Sequence, residues 1–336
     1  MLPPRQTLSA VLPACAPLPA LVVGVMAMRH LGVSKAAWST NIAATALGLL
    51  LWFVLRRLPP PARPATRAFL TASSLAAILL PFASAGMDGV HRWISVAGLR
   101  LHAAAIAAPL IILCVAAAAS HRMSTALAIG AAAGIILALQ PDAAQATSLV
   151  AACAVVLVRA RTKQPRRILL SVALLLVVSA ASFVRRDPLP PVPHVEGIFA
   201  VVASQGPGPA VLATIALLLL PAPFFIAWYR HRRSIALALG AYVTMTLLAP
   251  AWGTFPVPIM GYGASPILGY FIALVVGVGG PSRLENVSEA LVNGLQSSAD
   301  QRVRSTTKTI APGFQPGERE AHVSSPRSGR QITSTG

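Results

Sequence analysis

The sequence predicts an all-α polytopic membrane protein with about ten transmembrane helices and both termini in the cytoplasm. Of its 336 residues, 55% are hydrophobic and only 11% are charged, whereas a soluble domain carries about 25% charged residues. Apolar runs rich in Leu and Ala recur about every 25–30 residues, close to the spacing of membrane-spanning helices and their loops. This composition excludes an ordinary cytosolic enzyme, a disordered protein and a disulfide-rich secreted domain. The continuous runs also argue against a membrane β-barrel, whose strands are short and alternate in polarity.

Each predicted span is an apolar run that reaches or approaches the roughly 20 residues needed to cross a bilayer. The fifth and sixth runs are the shortest, so their ends are the least defined. The ten predicted spans are 11–28, 39–55, 68–86, 99–119, 124–139, 144–158, 167–184, 209–228, 233–250 and 264–280.

The basic residues between the spans predict the orientation. With a cytoplasmic N-terminus, 21 of the 27 Lys and Arg residues lie on the cytoplasmic side and six on the outer side. Cytoplasmic segments of membrane proteins carry this excess of Lys and Arg. The same bias accounts for the net charge of +18, so no nucleic-acid partner is expected. Residues 1–280 are predicted to form the transmembrane domain. Residues 281–336 are predicted to be a mostly disordered cytoplasmic tail, because most of that segment is rich in Ser, Thr, Arg and Gly.

All four acidic residues of the membrane domain fall in predicted outer loops or at their edges. They are Asp88, Asp142, Asp187 and Glu196. Acidic residues contribute little to orientation, and ionisable groups near a bilayer tend to mark functional sites. Each acid alone could be a solvated loop residue, but together they indicate a site that faces outward.

Four short stretches carry a resemblance to a known family. GVHRWI at 89–94 resembles a GxxRWI loop, and LQPD at 139–142 resembles a QPD motif. HVEGIFA at 194–200 is similar to HTDFIFA, and PVPIMGYGAS at 256–265 is similar to PLPFxSYGGS. In this order within a ten-span chain, they resemble the SEDS family of FtsW, RodA and SpoVE, over roughly residues 85–280.

The resemblance implies a peptidoglycan glycosyltransferase of the bacterial inner membrane. Members of the family polymerise lipid II outside the membrane during elongation or division, usually beside a class B penicillin-binding transpeptidase. The catalytic Asp of the family lies in the HTD segment, so its place here is taken by Glu196. The implied partners are therefore lipid II, such a transpeptidase and the surrounding membrane lipids.

The chemistry of chain extension gives roles to the residues of the outer loops. A sugar 4-hydroxyl attacks an anomeric carbon, and Glu196 within hydrogen-bond reach of that hydroxyl could act as general base. The departing pyrophosphate needs positive charge from Arg, Lys or a bound divalent cation, and the sequence leaves open which of these supplies it. Candidate substrate contacts are Arg92, Arg185, Arg186, His194 and Asp142.

Several of these residues also have structural interpretations. Asp142 precedes an apolar run and is expected above all to cap the helix that starts near Ala143. Arg92 beside Trp93 could anchor the chain at the membrane interface. The Pro- and Gly-rich stretch 256–266 is expected to form a turn or re-entrant segment that lines the outer cavity.

The chain departs from the family pattern at three places. A QPSExxK stretch opens the fourth span in the family, but here Ala105 and Ala108 replace its Glu and Lys. Ser204 and Gln205 replace an acidic pair, and the catalytic Asp becomes a longer Glu. Three hypotheses therefore remain open: an active glycosyltransferase, a lipid II-binding or scaffold protein without turnover, and a transporter or flippase of lipid-linked precursors.

Overall fold

The computed structural model describes residues 11–56, 63–96, 98–160, 164–185 and 187–279. Within these ranges a short helical segment at 11–15 is followed by twelve α-helices and one β-hairpin. The helices are α1 (Leu18–His30), α2 (Lys35–Leu55), α3 (Pro64–Leu79), α4 (Ala103–Ala119), α5 (Met123–Leu139), α6 (Ala143–Val158), α7 (Pro165–Ala181), α8 (Ile198–Ala203), α9 (Pro207–Leu218), α10 (Ala222–His231), α11 (Ser234–Leu248) and α12 (Ala264–Gly277). The strands are β1 (Trp93–Val96) and β2 (Leu99–His102).

Every one of the ten predicted spans contains a helix, and the protein is a polytopic α-helical membrane protein. Five helical segments are long and apolar enough to cross a membrane: Val11–His30, Lys35–Leu55, Pro64–Ala83, Pro207–His231 and Ser234–Ala251. Four shorter apolar helices accompany them: Ala103–Ala119, Met123–Leu139, Ala143–Val158 and Ala264–Gly277. The number of spans and the side of each terminus stay predictions. The boundary at residue 280 and the predicted tail at 281–336 lie outside the described residues.

Local sequence signals fix where several helices begin. The side chains of Ser34, His102 and Asp142 accept hydrogen bonds from backbone N–H groups in the first turns of α2, α4 and α6. These bonds satisfy donors that have no partner inside the helix. Proline occupies the first turn of α3 and α7, where its missing N–H costs no helical hydrogen bond.

Helix α4 lies at the centre of the bundle. It packs against α3, α5, α6, α11 and α12, and ten of its 17 residues are buried. Its alanine-rich surface lets α12 approach closely, because a Cβ added at Gly269 would lie 1.9 Å from the carbonyl oxygen of Ala105. Small residues at such crossings are typical of helix packing in membranes.

Strands β1 and β2 form a hairpin where the sequence predicted the start of the fourth span. Trp93 pairs with His102 and Val96 with Leu99, so helix α4 begins at 103 rather than 99. The prediction was wrong here because residues 99–102 alternate between apolar and polar, which is the periodicity of a strand and not of a helix. Gly98, at a φ of 81°, lies in the turn between the strands.

The eighth predicted span, 209–228, is interrupted. Helix α9 ends at Leu218, residues 219–221 form a turn, and α10 begins at Ala222. Pro221 lacks the N–H that would continue the helical hydrogen-bond ladder, which explains the break at this position.

Candidate functional site

A cavity of about 440 Å³ opens at one end of the helix bundle. Four parts of the chain meet around it: the hairpin, the α5–α6 turn, the segment 187–197 before α8, and the segment 252–263 before α12. Its polar wall includes Arg92, Arg100, His102, Asp142, Gln145, Asp187, His194 and Glu196. Its apolar wall includes Val243 and Ala273 from the helices and Leu220 from the turn between α9 and α10.

Glu196 stands on the cavity wall at a loop-to-helix junction. Its Oε2 accepts a hydrogen bond from the N–H of Val192 at 2.8 Å, which fixes the side chain against its own loop. The next residue, Gly197, is the N-cap residue of α8. Oε1 has no hydrogen-bond partner in the part of the chain that the structure describes, so no described residue competes with a ligand for this oxygen.

The loop that carries Glu196 is held by the segment before α12. The N–H of Tyr262 donates to the carbonyl of His194 at 2.9 Å, and the N–H of Val257 donates to that of Val195 at 3.3 Å. The two backbones touch at Gly261, where an added Cβ would lie 2.7 Å from the carbonyl oxygen of Val195. The position of Glu196 therefore depends on the path of residues 252–263.

Asn41 of α2 fixes that path from inside the bundle. Its Nδ2 donates to the carbonyl of Gly261 at 3.0 Å, and its Oδ1 accepts from the N–H of Gly263 at 3.0 Å. The residue is fully buried. Leaving these backbone groups unpaired would cost about 1–3 kcal/mol for each group, so Asn41 clamps the turn that supports the Glu196 loop.

Arg92 is buried among three acceptors. Its Nη1 lies 2.7 Å from Oδ2 of Asp187, its Nε donates to the carbonyl of Gln140 at 3.3 Å, and its Nη2 donates to the carbonyl of Pro141. The guanidinium group thus ties the hairpin, the α5–α6 turn and the segment from 187 onward together. Its positive charge lies in the wall, but three of its nitrogens already have protein partners.

His102 and Asp142 form a second polar pair in the wall. The Nδ1 of His102 accepts the N–H of Ala105 at 3.2 Å, which leaves the ring hydrogen on Nε2, 3.0 Å from Oδ2 of Asp142. Burial by itself raises the pKa of Asp142, but the neighbouring His102, the charge of Arg92 and the N–H of Gln145 hold that pKa below its ordinary value. Asp142 is therefore an ionised, acceptor-only carboxylate at neutral pH.

Comparison with known proteins agrees with this architecture. The sequence model of the cell cycle protein family FtsW/RodA/SpoVE matches residues 8–189, just over half of the chain. The chain belongs to the FtsW/RodA/SpoVE family. No curated protein matches its sequence significantly.

Solved structures share the fold of this family member. The rod shape determining protein RodA of Thermus thermophilus superposes with a TM-score of 0.59 at 20% identity, over 80% of this chain and 96% of RodA. A chain from a peptidoglycan synthase complex, studied for its coordination of polymerization and crosslinking, gives a TM-score of 0.60 at 23% identity, over 80% and 96% of the two chains.

The structure brings four of the six predicted site residues of this FtsW/RodA/SpoVE protein to one cavity. Glu196, His194, Arg92 and Asp142 all line it. Asp142 also caps α6 through the N–H of Gln145 at 3.2 Å, which confirms its predicted structural role. Arg185 lies apart from the cavity lining and donates to the carbonyl of Leu139 at 2.7 Å. Arg186 lies outside the described residues.

Other residues at the site went unrecognised in the sequence. Gln145, Tyr242 and Arg100 line the cavity. Asn41 lies outside the lining but holds the backbone of the segment that borders it. Asn41 offered one signal, a lone amide inside an apolar run, where polar side chains often bond neighbouring segments. Among the described residues, no group of three or more His, Cys, Asp and Glu side chains is arranged to hold a metal ion.

Proposed function

We propose that this protein is a peptidoglycan glycosyltransferase of the bacterial inner membrane, which polymerises lipid II with Glu196 as general base. The observation that carries the proposal is the carboxylate of Glu196, which lines the cavity with one oxygen anchored to the loop and the other without a hydrogen-bond partner among the described residues. The cavity combines charged residues with an apolar helical wall. That combination suits a substrate made of sugars, a diphosphate and a lipid chain.

In the proposed reaction the 4-hydroxyl of one sugar attacks the anomeric carbon of another. Oε1 of Glu196 takes the hydroxyl proton as the new C–O bond forms, and the lipid diphosphate leaves with the electrons of the broken C–O bond. Arg100 is exposed on the cavity wall, where its Nη1 lies 3.0 Å from the sulfur of Met87. Its guanidinium group can stabilise the charge that develops on the departing diphosphate.

A class B transpeptidase is the proposed partner in the membrane. A chain of the same fold lies in a peptidoglycan synthase complex that coordinates polymerization with crosslinking. Since glycan strands must be crosslinked after they are made, an enzyme of this kind would act beside its crosslinking partner.

The test is polymerisation of lipid II by the purified protein in detergent, alone and with a cognate transpeptidase. We expect glycan chains from the wild type and at least a 100-fold lower rate from Glu196→Gln, because the amide cannot accept the proton. The matched control is Asp88→Asn, which removes an exposed carboxylate outside the cavity lining and keeps a residue type that tolerates the φ of 49°. Equal rates for the wild type and Glu196→Gln would refute the proposed base.

The second candidate function is binding of lipid II without turnover. It is favoured by the contact of Glu196 with its own loop and by Ala105 on the cavity wall, where the family pattern has a Glu. Binding of lipid II without chain formation under either condition would establish it. None of the four described acidic residues lies inside a helix, so no comparable observation favours a flippase.

A further inference from the structure

The N-terminal end of α6 presents two polar side chains to the cavity. Asp142 and Gln145 are three residues apart and therefore share a face of the helix, and both line the cavity. His102 from the start of α4 and Tyr242 from α11 contact this pair. The proposed chemistry at Glu196 uses none of these four residues.

The hydrogen bonds of Asp142 leave one acceptor unused. Its Oδ1 accepts the N–H of Gln145 at 3.2 Å. Its Oδ2 lies 3.0 Å from Nε2 of His102, but the two atoms lack the alignment of a hydrogen bond, and Oδ2 has no hydrogen-bond partner among the described residues. Because Asp142 is only 3% exposed, leaving this oxygen unpaired is costly unless a ligand completes it.

The side chain of Gln145, close to Asp142, has an amide donor that no described residue uses. The hydroxyl of Tyr242 donates to Oε1 of Gln145 at 2.7 Å, which fixes the orientation of the amide. Its Nε2 has no acceptor in the described parts of the chain, and the side chain is only partly buried on the cavity wall. An unused amide donor and an unused carboxylate acceptor are therefore neighbours in one wall.

A hydroxyl group accepts one hydrogen bond and donates another, so a single hydroxyl placed between these two side chains would pair with both. We propose that Asp142 and Gln145 form a subsite for one ring hydroxyl of the sugar in the lipid-linked substrate. The hydrogen bonds then run from Tyr242 to Gln145, from Gln145 to the sugar oxygen, and from the sugar hydroxyl to Asp142. In such a chain each bond polarises the next, and the subsite selects the sugar that carries the hydroxyl at the right position. This inference rests on the proposed function for the class of substrate.

The test combines protein variants with ligands that lack single hydroxyls. Binding of fluorescent lipid II and of a panel of its monodeoxy analogues is measured in nanodiscs, in a Glu196→Gln background so that no turnover alters the ligand. We expect Gln145→Ala to weaken the binding of lipid II by about fivefold to tenfold, the loss for one hydrogen bond in a buried site. For one monodeoxy analogue it should have no effect, because that ligand lacks the partner.

Two further variants separate the subsite from general damage to the fold. Tyr242→Phe should weaken lipid II binding less than Gln145→Ala and show the same dependence on that one hydroxyl, because it frees the amide without removing it. Gln205→Ala is the matched control, since Gln205 is exposed and lies outside the cavity lining. It should leave the binding of every ligand unchanged.

Equal weakening of all ligands by Gln145→Ala, no weakening of any, or no binding of lipid II by the protein would each overturn the subsite. The outcome is independent of the glycosyltransferase assay. Binding that depends on one hydroxyl, with no glycan chains formed, would support the subsite and refute the proposed glycosyltransferase activity. Glycan chains with binding that depends on no single hydroxyl would support the activity and refute the subsite.

Discussion

The guanidinium group of Arg92 joins the hairpin, the α5–α6 turn and the loop that leads to Glu196. Its side chain is 7% exposed and that of Asp187 is 15% exposed, so water screens the pair poorly. Asp187→Asn would leave a buried positive charge without its counter-ion. We expect this change to lower the free energy of unfolding by about 1.5–3 kcal/mol, the range for a hydrogen bond to a charged group.

Thermal unfolding of the purified protein in detergent measures this effect. Asp88→Asn serves as the control, because Asp88 is exposed and makes no ion pair with a described residue. If both variants unfold like the wild type, the pair with Asp187 adds no stability.

Single residues could be predicted from sequence only where the signal is local. Asp142 before an apolar run predicted a helix cap, and its contact with the N–H three residues later confirms the cap. Asn41 and Gly261 are 220 positions apart, and Arg92 and Asp187 are 95 apart. One sequence carries no information on which distant residues meet, so neither the clamp nor the ion pair could be foreseen.

Helices α12 and α4 cross closely because α12 has a glycine, Gly269, at the point where it contacts α4. A methyl group at Gly269 would lie 1.9 Å from the carbonyl oxygen of Ala105, far inside van der Waals contact. Since this neighbour is backbone of the central helix, relief requires the helices to separate. We therefore expect Gly269→Ala to lower the free energy of unfolding by about 1–3 kcal/mol and to lower polymerisation as well, because α12 carries part of the cavity wall.

Gly208→Ala is the matched control for that change. Gly208 lies in the first turn of α9, and a Cβ added there meets no atom within 4 Å. Alanine at this position restricts the unfolded chain, but Pro209 follows it and disfavours helical backbone at a residue that has a Cβ. These effects oppose each other, so the free energy of unfolding should change by no more than about 0.5 kcal/mol. In the same detergent, the unfolding midpoint of Gly269→Ala should lie well below that of Gly208→Ala, and equal midpoints would contradict the close crossing.

A helix could be predicted from sequence wherever a long apolar run is compatible with a helix and with no other element. Long runs of Leu and Ala predicted a helix in each of the ten positions, and the structure has one in each. The hairpin was missed because Leu99 and Leu101 are apolar and directly precede the apolar run that forms α4. Their alternation with polar neighbours is nevertheless the pattern of a strand. Composition averaged over a window cannot separate these two periodicities.

The architecture of the whole molecule follows from the same apolar runs, and its orientation from the loop charges. A polytopic helical bundle is the arrangement that satisfies every backbone group inside a bilayer. The charge bias predicts that the α10–α11 turn is cytoplasmic, because Arg230 lies in the last turn of α10 and Arg232 and Arg233 follow it. It predicts equally that the loops with Asp142 and Glu196, and hence the cavity, open to the outside.

Cysteine labelling in intact cells tests this orientation. In a chain whose three native cysteines are replaced by Ala, Asp88→Cys and His231→Cys place single thiols at exposed positions. A membrane-impermeant maleimide should label the cysteine at 88 in intact cells, and the cysteine at 231 only after the cells are permeabilised. The reverse pattern would put the cavity in the cytoplasm. Glu196 could then not act on a sugar presented outside the membrane, and the cavity would have to serve a step that precedes export of the lipid-linked precursor.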